Sequence, residues 1–208
     1  TVQNLDIKYS GNNGIFIETC TNIKVDHCKF QWCGGWFFNL STGVRMGNGV
    51  QMWQENSSLE ISNNYIYQIY DAGISPQGNA VGYTQADISI HNNTISKTYY
   101  SYEIFLRSPN IFNNITFEYN TCTDAGYQWS QSQRPDNSDA EHIRQVISTG
   151  TISGCTILHN IFNGSANRYA QMDVTSGMVC DNNYFSFISI YGKFNGVVRN
   201  TLALWRTY

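Results

Sequence analysis

The chain has 208 residues, a formal net charge of −3, 13% charged residues and 14% aromatic residues. That balance excludes a disordered tail and a nucleic-acid binder acting through bulk positive charge, and the length suits one folded domain, 1–208, with a sizeable core. No apolar run approaches the roughly 20 residues of a membrane span, and Thr1 opens neither a start Met nor a signal-peptide pattern, so the chain reads as mature or trimmed.

In chain order, Val2-Gln3-Asn4-Leu5-Asp6-Ile7 already reads as a strand. Ile23-x-Val25-x-x-Cys28-x-Phe30 is then a degenerate first copy of a phrase that becomes regular farther on. The irregular stretch 41–57, with Gly43, Gly47 and Gly49, is expected to leave the repeat, either as a loop or as a short extra coil around Val50-Gln51-Met52-Trp53; Trp53 would be a stacking platform or a core residue. The regular copies follow: Leu59-x-Ile61-x-x-Asn64-x-Ile66, Ile88-x-Ile90-x-x-Asn93-x-Ile95, Ile115-x-Phe117-x-x-Asn120-x-Cys122, Cys155-x-Ile157-x-x-Asn160-x-Phe162 and Met178-x-Cys180-x-x-Asn183-x-Phe185. Val197-x-x-Asn200-x-Leu202 is a last partial copy, and the 197–205 segment still reads as strand.

The Asn-to-Asn steps are 29, 27, 40 and 23 residues, the spacing of stacked repeats with one insertion. Apolar and polar residues alternate within each copy, which marks strands rather than helices. Short strands at a fixed period with Asn at each corner predict a parallel β-helix. Asn tolerates a bend, and its amide can bond the Asn one coil away, about 4.8 Å distant. Because both ends read as strand, a solenoid would expose pairing edges there; the expectation is a segment of a longer solenoid, flanking coils, or self-association at the ends.

The six Cys lack a paired metal spacing. Cys122, Cys155 and Cys180 fill apolar slots of the phrase as small core residues, with a disulfide among Cys20, Cys28 and Cys33 as the alternative. His27, His91 and His159 sit one or two places before the ladder position and suit structural hydrogen bonds. No acidic cluster is compact enough for calcium, so neither a metal nor a cofactor is expected. Five N-x-S/T sequons, at Asn39, Asn56, Asn92, Asn114 and Asn163, would accept glycans on a eukaryotic secretory route, but weigh little among 24 Asn.

After each ladder turn a second strand is expected: 36–40, 72–77, 102–107, 126–130, 169–174 and 187–191. Turning Ile74, Ile104, Tyr127, Met172 and Ile188 inward puts their neighbours outside. The outer face then carries Ser75, Gln77, Glu103, Phe105, Arg107, Gln128, Ser130, Gln171 and Asp173. Amides, carboxylates, Arg and rings in a row suit the hydroxyls and apolar ring faces of a polysaccharide, although any outward strand face is polar.

Three acids stand out. Asp71 in Tyr70-Asp71-Ala72-Gly73 and Asp124 in Thr123-Asp124-Ala125-Gly126 are expected at the same place in two coils, the second more readily a turn signal, with Glu103 in the coil between. Carboxyls on neighbouring or alternate coils would stand at about the 5 Å of a retaining pair or the roughly 6.5 to 9.5 Å of an inverting one. Glu103 is the candidate acid, with Asp71 or Asp173 as its partner. The polar excursion 131–149 is expected beside that face as a loop bringing Arg134, Glu141, His142 and Arg144 close. A lyase would need a base and a cation for a uronate carboxylate, and His142 or Arg144 could serve.

Ile61-Ser-Asn-Asn64-Tyr-Ile, Ile90-His-Asn-Asn93-Thr-Ile and Cys180-Asp-Asn-Asn183-Tyr-Phe resemble the right-handed parallel β-helix proteins of the pectin-lyase-like superfamily, over nearly the whole chain. The resemblance implies an all-β, single-stranded right-handed solenoid of roughly seven to nine coils with an Asn ladder. It also implies an extracellular protein acting on polysaccharides, or a tailspike or adhesin. Tyr70-Asp71-Ala-Gly-Ile-Ser-Pro-Gln followed by Tyr102-Glu103-Ile-Phe looks like coils of bacterial β-helix glycosidases, without a motif strict enough to carry a catalytic residue across. The expectation is a glycoside hydrolase, then a polysaccharide lyase, then a non-catalytic solenoid.

Overall fold

The computed structural model describes residues 1–41, 43–79, 82–107, 109–135, 138–172, 176–186, 192–194 and 197–199. The chain is all-β, and its strands stack in parallel on three faces. The first face runs through 24–26, 59–62, 88–91, 115–118, 155–158 and 178–181. The second runs through 6–8, 29–31, 65–67, 94–96, 121–123, 161–163 and 184–185. The third runs through 15–18, 50–53, 74–77, 102–106, 141–147, 168–172 and 192–194.

A corner rule holds the faces together. Taking Leu5, Cys28, Asn64, Asn93, Asn120, Asn160 and Asn183 as origin, the residue one before each has a left-handed backbone: Asn4, His27, Asn63, Asn92, Tyr119, His159 and Asn182, with φ from 53° to 57°. Six before the origin, Asn22, Ser58, Asp87, Asn114, Gly154 and Gly177 repeat it; four after, Tyr9, Trp32, Gln68, Lys97, Asp124 and Gly164 do so. The first and second faces are thus bounded by single left-handed residues, with Thr19 and Gln54 as further ones after the third face, a conformation that costs an ordinary residue roughly 1 kcal/mol and Asn, Asp or Gly less. The bend falls on the residue before the ladder Asn, rather than on the ladder Asn as expected.

The ladder Asn side chains serve the backbone instead. Oδ1 of each accepts the N–H of the residue one coil earlier: Cys28 to Asn64 at 2.9 Å, Asn64 to Asn93 at 3.0 Å, Asn93 to Asn120 at 2.9 Å, Asn120 to Asn160 at 2.8 Å and Asn160 to Asn183 at 2.9 Å. Nδ2 donates to the carbonyls of Val25, Ile61, Ile90, Phe117 and Ile157 in the same order. Groups that leave the strand ladder at this corner are thereby satisfied in the interior, where an unmet one costs about 1 to 3 kcal/mol.

Alternation turns Val25, Ile61, Ile90, Phe117 and Ile157 inward on one face, and Phe30, Ile66, Ile95, Cys122 and Phe162 on the next, all buried. Rings stack in the interior: Phe117 on Tyr102 at 4.4 Å between faces, and Phe162 on Phe185 at 5.3 Å along the axis. Each such side chain contributes roughly 1.5 to 3 kcal/mol through apolar burial. All six Cys are free thiols, so the disulfide alternative is not realised.

Among the described residues, Val197–Arg199, expected as a last partial copy of the phrase, instead pairs antiparallel with Gly192–Phe194, and two earlier segments leave the stack. Trp36–Asn39, expected in a coil, instead pairs antiparallel with Val44–Met46. A Cβ at Gly47 would come within 2.2 Å of Gly34 Cα, with φ of 139° and 102° at the two residues, so only glycine fits this pinched hairpin base. The second is an arm, 126–135, expected in part as a strand, that instead turns outward and forms a 3₁₀ turn at Gln131–Gln133. Excursion 41–57 is shorter than expected, since Val50–Ser62 is a strand, and 141–147 of the expected 131–149 loop is likewise a strand. Among the described residues no helix is long and apolar enough to cross a membrane.

Candidate functional site

On the third face, Ile74, Ile104 and Met172 point inward and are buried. Their neighbours line up outside: Gln51 pairs with Ser75, Glu103 with Arg144 and Arg144 with Gln171, while Trp53 pairs with Gln77 and Gln77 with Phe105. Across the upper coils these side chains floor a cleft of about 500 Å³. Gln51, Gln77, Asp71, Glu103 and Phe105 come from the stacked strands, and Arg107 from just past the end of one. Asn12, Asn13 and Phe16 come from the N-terminal coils, and Trp36 and Met46 from the hairpin that stands as its wall.

Glu103 sits at the bottom, 6% exposed. Its Oε2 accepts Ser75 Oγ–H at 2.8 Å and Gln77 Nε2–H at 3.0 Å, while Oε1 has no hydrogen-bond partner among the described residues. The amides form a directed chain: Asn48 Nδ2 donates to Gln51 Oε1 at 3.2 Å, and Gln51 Nε2 to Gln77 Oε1 at 3.1 Å. Asn48 is itself fixed by the N–H of Ala72 at 2.9 Å. Burial raises the Glu103 carboxyl, the negative charge of Asp71 raises it further, and the Ser75 and Gln77 donors and the Arg144 cation only partly offset them; the group is pushed up to about 7. Such an acid is half protonated near neutrality.

Asp71, on the same cleft, faces Arg134 of the arm, whose Nη2 lies 3.4 Å from Asp71 Oδ1. The guanidinium is 8% exposed, packs 3.6 Å from the Tyr99 ring centroid and donates to the Tyr70 carbonyl at 2.8 Å. Arg107 leans on Phe105, 4.7 Å from its ring centroid, and forms no ion pair among the described residues.

The profile of the right-handed β-helix region matches residues 1–135, most of the chain and all of the cleft. The chain belongs to the right-handed β-helix family. Searches of curated proteins and of solved structures gave no match.

Within this right-handed β-helix, Glu103, Asp71, Gln77 and Arg107 meet at one cleft, and other expected site residues fall elsewhere. His142 is not in a loop but inside the coil, fully buried, bonded to Ser101 Oγ at 2.9 Å and set among the Phe162 and Tyr169 rings; burial holds it down at about 3, so it is neutral and out of reach of a substrate. Arg144 is committed to Glu141 and Gln171, both at 2.9 Å, and Gln171 also takes Arg168 at 2.7 Å; these groups form a polar brace on the lower coils. Burial raises Glu141 to about 7 against the pull of Arg168 and Arg144. Gln128 is buried at the root of the arm in a separate depression with Trp129, and Tyr127, expected inward, is 57% exposed because the arm has left the stack. Arg134 supports Asp71 from behind rather than lining the cleft. Asp71 and Asp124 are not equivalent: Asp124 is a corner residue at φ 56°, whereas Asp71 lies within the strand Tyr65–Gly78. Asp173 and the 187–191 strand lie outside the described residues. Among the described residues no group of His, Cys, Asp and Glu could hold a metal ion.

Sequence reasoning missed Asn12, Asn13, Phe16, Trp36 and Met46, which join the cleft through segments outside the repeat phrase. The one available signal was Gln51-Met52-Trp53, whose alternation places Gln51 and Trp53 on the cleft side of a buried Met52.

Proposed function

We propose that this right-handed β-helix is a secreted or surface carbohydrate-active protein whose cleft hydrolyses a polysaccharide, as a glycoside hydrolase with Glu103 as general acid and Asp71 as the partner carboxylate. The observation that carries this reading is the Glu103 carboxyl, buried at the floor of an open cleft, raised to about 7, and tethered through one oxygen only.

With Oε2 occupied by two donors, the proton belongs on Oε1, available to a glycosidic oxygen at the cleft floor. Asp71, beside Arg134, supplies the second carboxylate, either to activate water or to attack the sugar. Phe16, Trp36 and Trp53 offer faces for pyranose rings, and Asn12, Asn13 and Gln51 offer amides for hydroxyls. A panel of polysaccharides tests the reading: new reducing ends without the ultraviolet absorbance of an unsaturated sugar mark hydrolysis.

One observation favours a lyase as the second reading. Arg107 at the cleft is a cation without an acidic partner among the described residues, suited to neutralise a uronate carboxylate while a base removes the adjacent proton. Unsaturated products would then appear. Binding without any cleavage would point to a filament, tailspike or adhesin, in which flanking coils or self-association extend the solenoid.

A further inference from the structure

We infer that Arg134, carried on the 126–135 arm, is a positioning residue that fixes the negative charge on Asp71 and so confines the shared proton of the acid pair to Glu103. The inference rests on the reading of Asp71 and Glu103 as an acid pair, and adds to it the residue that assigns the two roles.

The arm leaves the stack after Ala125 and folds back across earlier coils. Trp129 N–H donates to Gln68 Oε1 at 2.6 Å, Arg45 Nη1 to Gln133 Oε1 at 3.3 Å, and Arg134 Nη1 to the Tyr70 carbonyl at 2.8 Å. These three contacts fix the arm at Trp129, at Gln133 and at Arg134 itself. Its guanidinium lies against the Tyr99 and Tyr70 rings, 3.6 and 4.8 Å from their centroids, with Nη2 3.4 Å from Asp71 Oδ1. A side chain so enclosed cannot swing away, and guanidinium does not deprotonate.

Two carboxyls on one cleft floor that sense each other's charge divide their protons by environment. Among the groups that face Asp71 are Arg134, Tyr100 and Glu103; among those that face Glu103 are Asp71, Tyr100 and, across the strand pairing, Arg144, with Arg107 just past the end of its own strand. Arg144 is engaged with Glu141 and Gln171, and among the described residues the cation within ion-pair distance of a member of the pair is Arg134, beside Asp71. Without it, Asp71 would be easier to protonate than it is now, and a single proton would be distributed over both.

Carbon-detected NMR titration of the Asp71 Cγ and Glu103 Cδ signals in the full chain tests this without needing a substrate. In the native protein each signal should move in its own step, Glu103 in the later one. Arg134→Gln should make both signals move in both steps, and Arg134→Lys should keep them separate. Asp71→Asn should move the Glu103 step to lower pH by roughly one unit or more, which keeps the test alive if Arg134→Gln does not fold. Two separate steps in Arg134→Gln, or an unmoved Glu103 step in Asp71→Asn, would overturn the inference. Absence of cleavage on every glycan, with the titrations as expected, would overturn only the enzymatic reading.

Discussion

Gln77 Nε2 stands 3.0 Å from Glu103 Oε2 and 2.9 Å from Ser75 Oγ, at the end of the amide chain that starts at Asn48. The chain has one polarity, each amide donating towards the carboxyl, so it favours the ionised form that burial opposes. Replacing Gln77 by Leu removes a donor and leaves burial in place. The Glu103 carboxyl should then titrate above its present value of about 7, and the alkaline limb of any hydrolytic activity should move up with it. An unchanged or lowered limb would show that Gln77 does not stabilise the carboxylate.

Glu103 also ties stability to pH. Its folded value of about 7 lies above the ordinary 4.5, so between those values the folded state holds a proton that the unfolded state has released. Stability contributed by this group is therefore present below pH 4.5, lost as pH rises through 7, and level above, by up to roughly 3 kcal/mol in all. Glu141, raised to about 7, acts in the same window. His142 has the opposite sign: held down at about 3 from 6.5, it withdraws stability as pH falls. Urea midpoints of Glu103→Gln should fall less between pH 5 and pH 8 than those of the native chain; identical profiles would contradict the assignment.

Asn93 accepts from the N–H and Nδ2 of Asn64 and donates to Ile61, His91 and Asn120. Asn93→Ala leaves buried partners on two neighbouring coils unmet, and should destabilise the chain by roughly 1 to 3 kcal/mol. Chemical denaturation gives the value directly, and a loss below a few tenths of a kcal/mol would mean that water replaces the amide.

The fold was legible because the repeat phrase carries its own chemistry. The same Asn that recurs at a fixed offset from the apolar positions is the one whose amide closes the corner, and Ile61, Ile90 and Phe117 fill the same interior slot. The corner before it was less legible, since Tyr119, His159 and Asn182 share a backbone angle and no side-chain chemistry. At the site, Glu103 and Gln77 follow the alternation to the cleft side because they sit on regular strands next to buried residues, and Arg107 joins them just past the end of its strand. Alternation misplaced Tyr127 and Gln128 because the arm leaves the stack there, and it misread His142 because a polar sequence around a buried strand looks like a loop. Asp71 shares a tetrapeptide pattern with Asp124, yet only strand register separates their places.

The corner rule predicts a contrast at Ser58, an exposed residue at φ 55°. Ser58→Gly removes the left-handed penalty but loosens the unfolded chain, leaving a change between zero and about 1 kcal/mol of stabilisation. Ser58→Val places a β-branched side chain at that angle and should cost about 1 kcal/mol or more. If thermal midpoints of the two variants coincide, the corner is not set by backbone conformation.

Glu103→Gln is the decisive substitution for the proposed chemistry. Gln is nearly isosteric and keeps an acceptor for Ser75 and Gln77, so the amide chain and the cleft shape should survive; what disappears is the proton on Oε1. If Glu103 is the general acid, turnover of a cleaved polysaccharide should fall by about 100-fold or more, with substrate affinity little changed because Phe16, Trp36 and Trp53 remain in place. Substrates with a leaving group that needs no protonation should be affected far less, a difference that a general loss of structure would not produce. Asp71→Asn should impair both kinds of substrate, since a second carboxylate is needed whatever departs. Full activity in Glu103→Gln would remove the acid pair from the mechanism, and an equal loss on both substrate types would reassign Glu103 to a structural role.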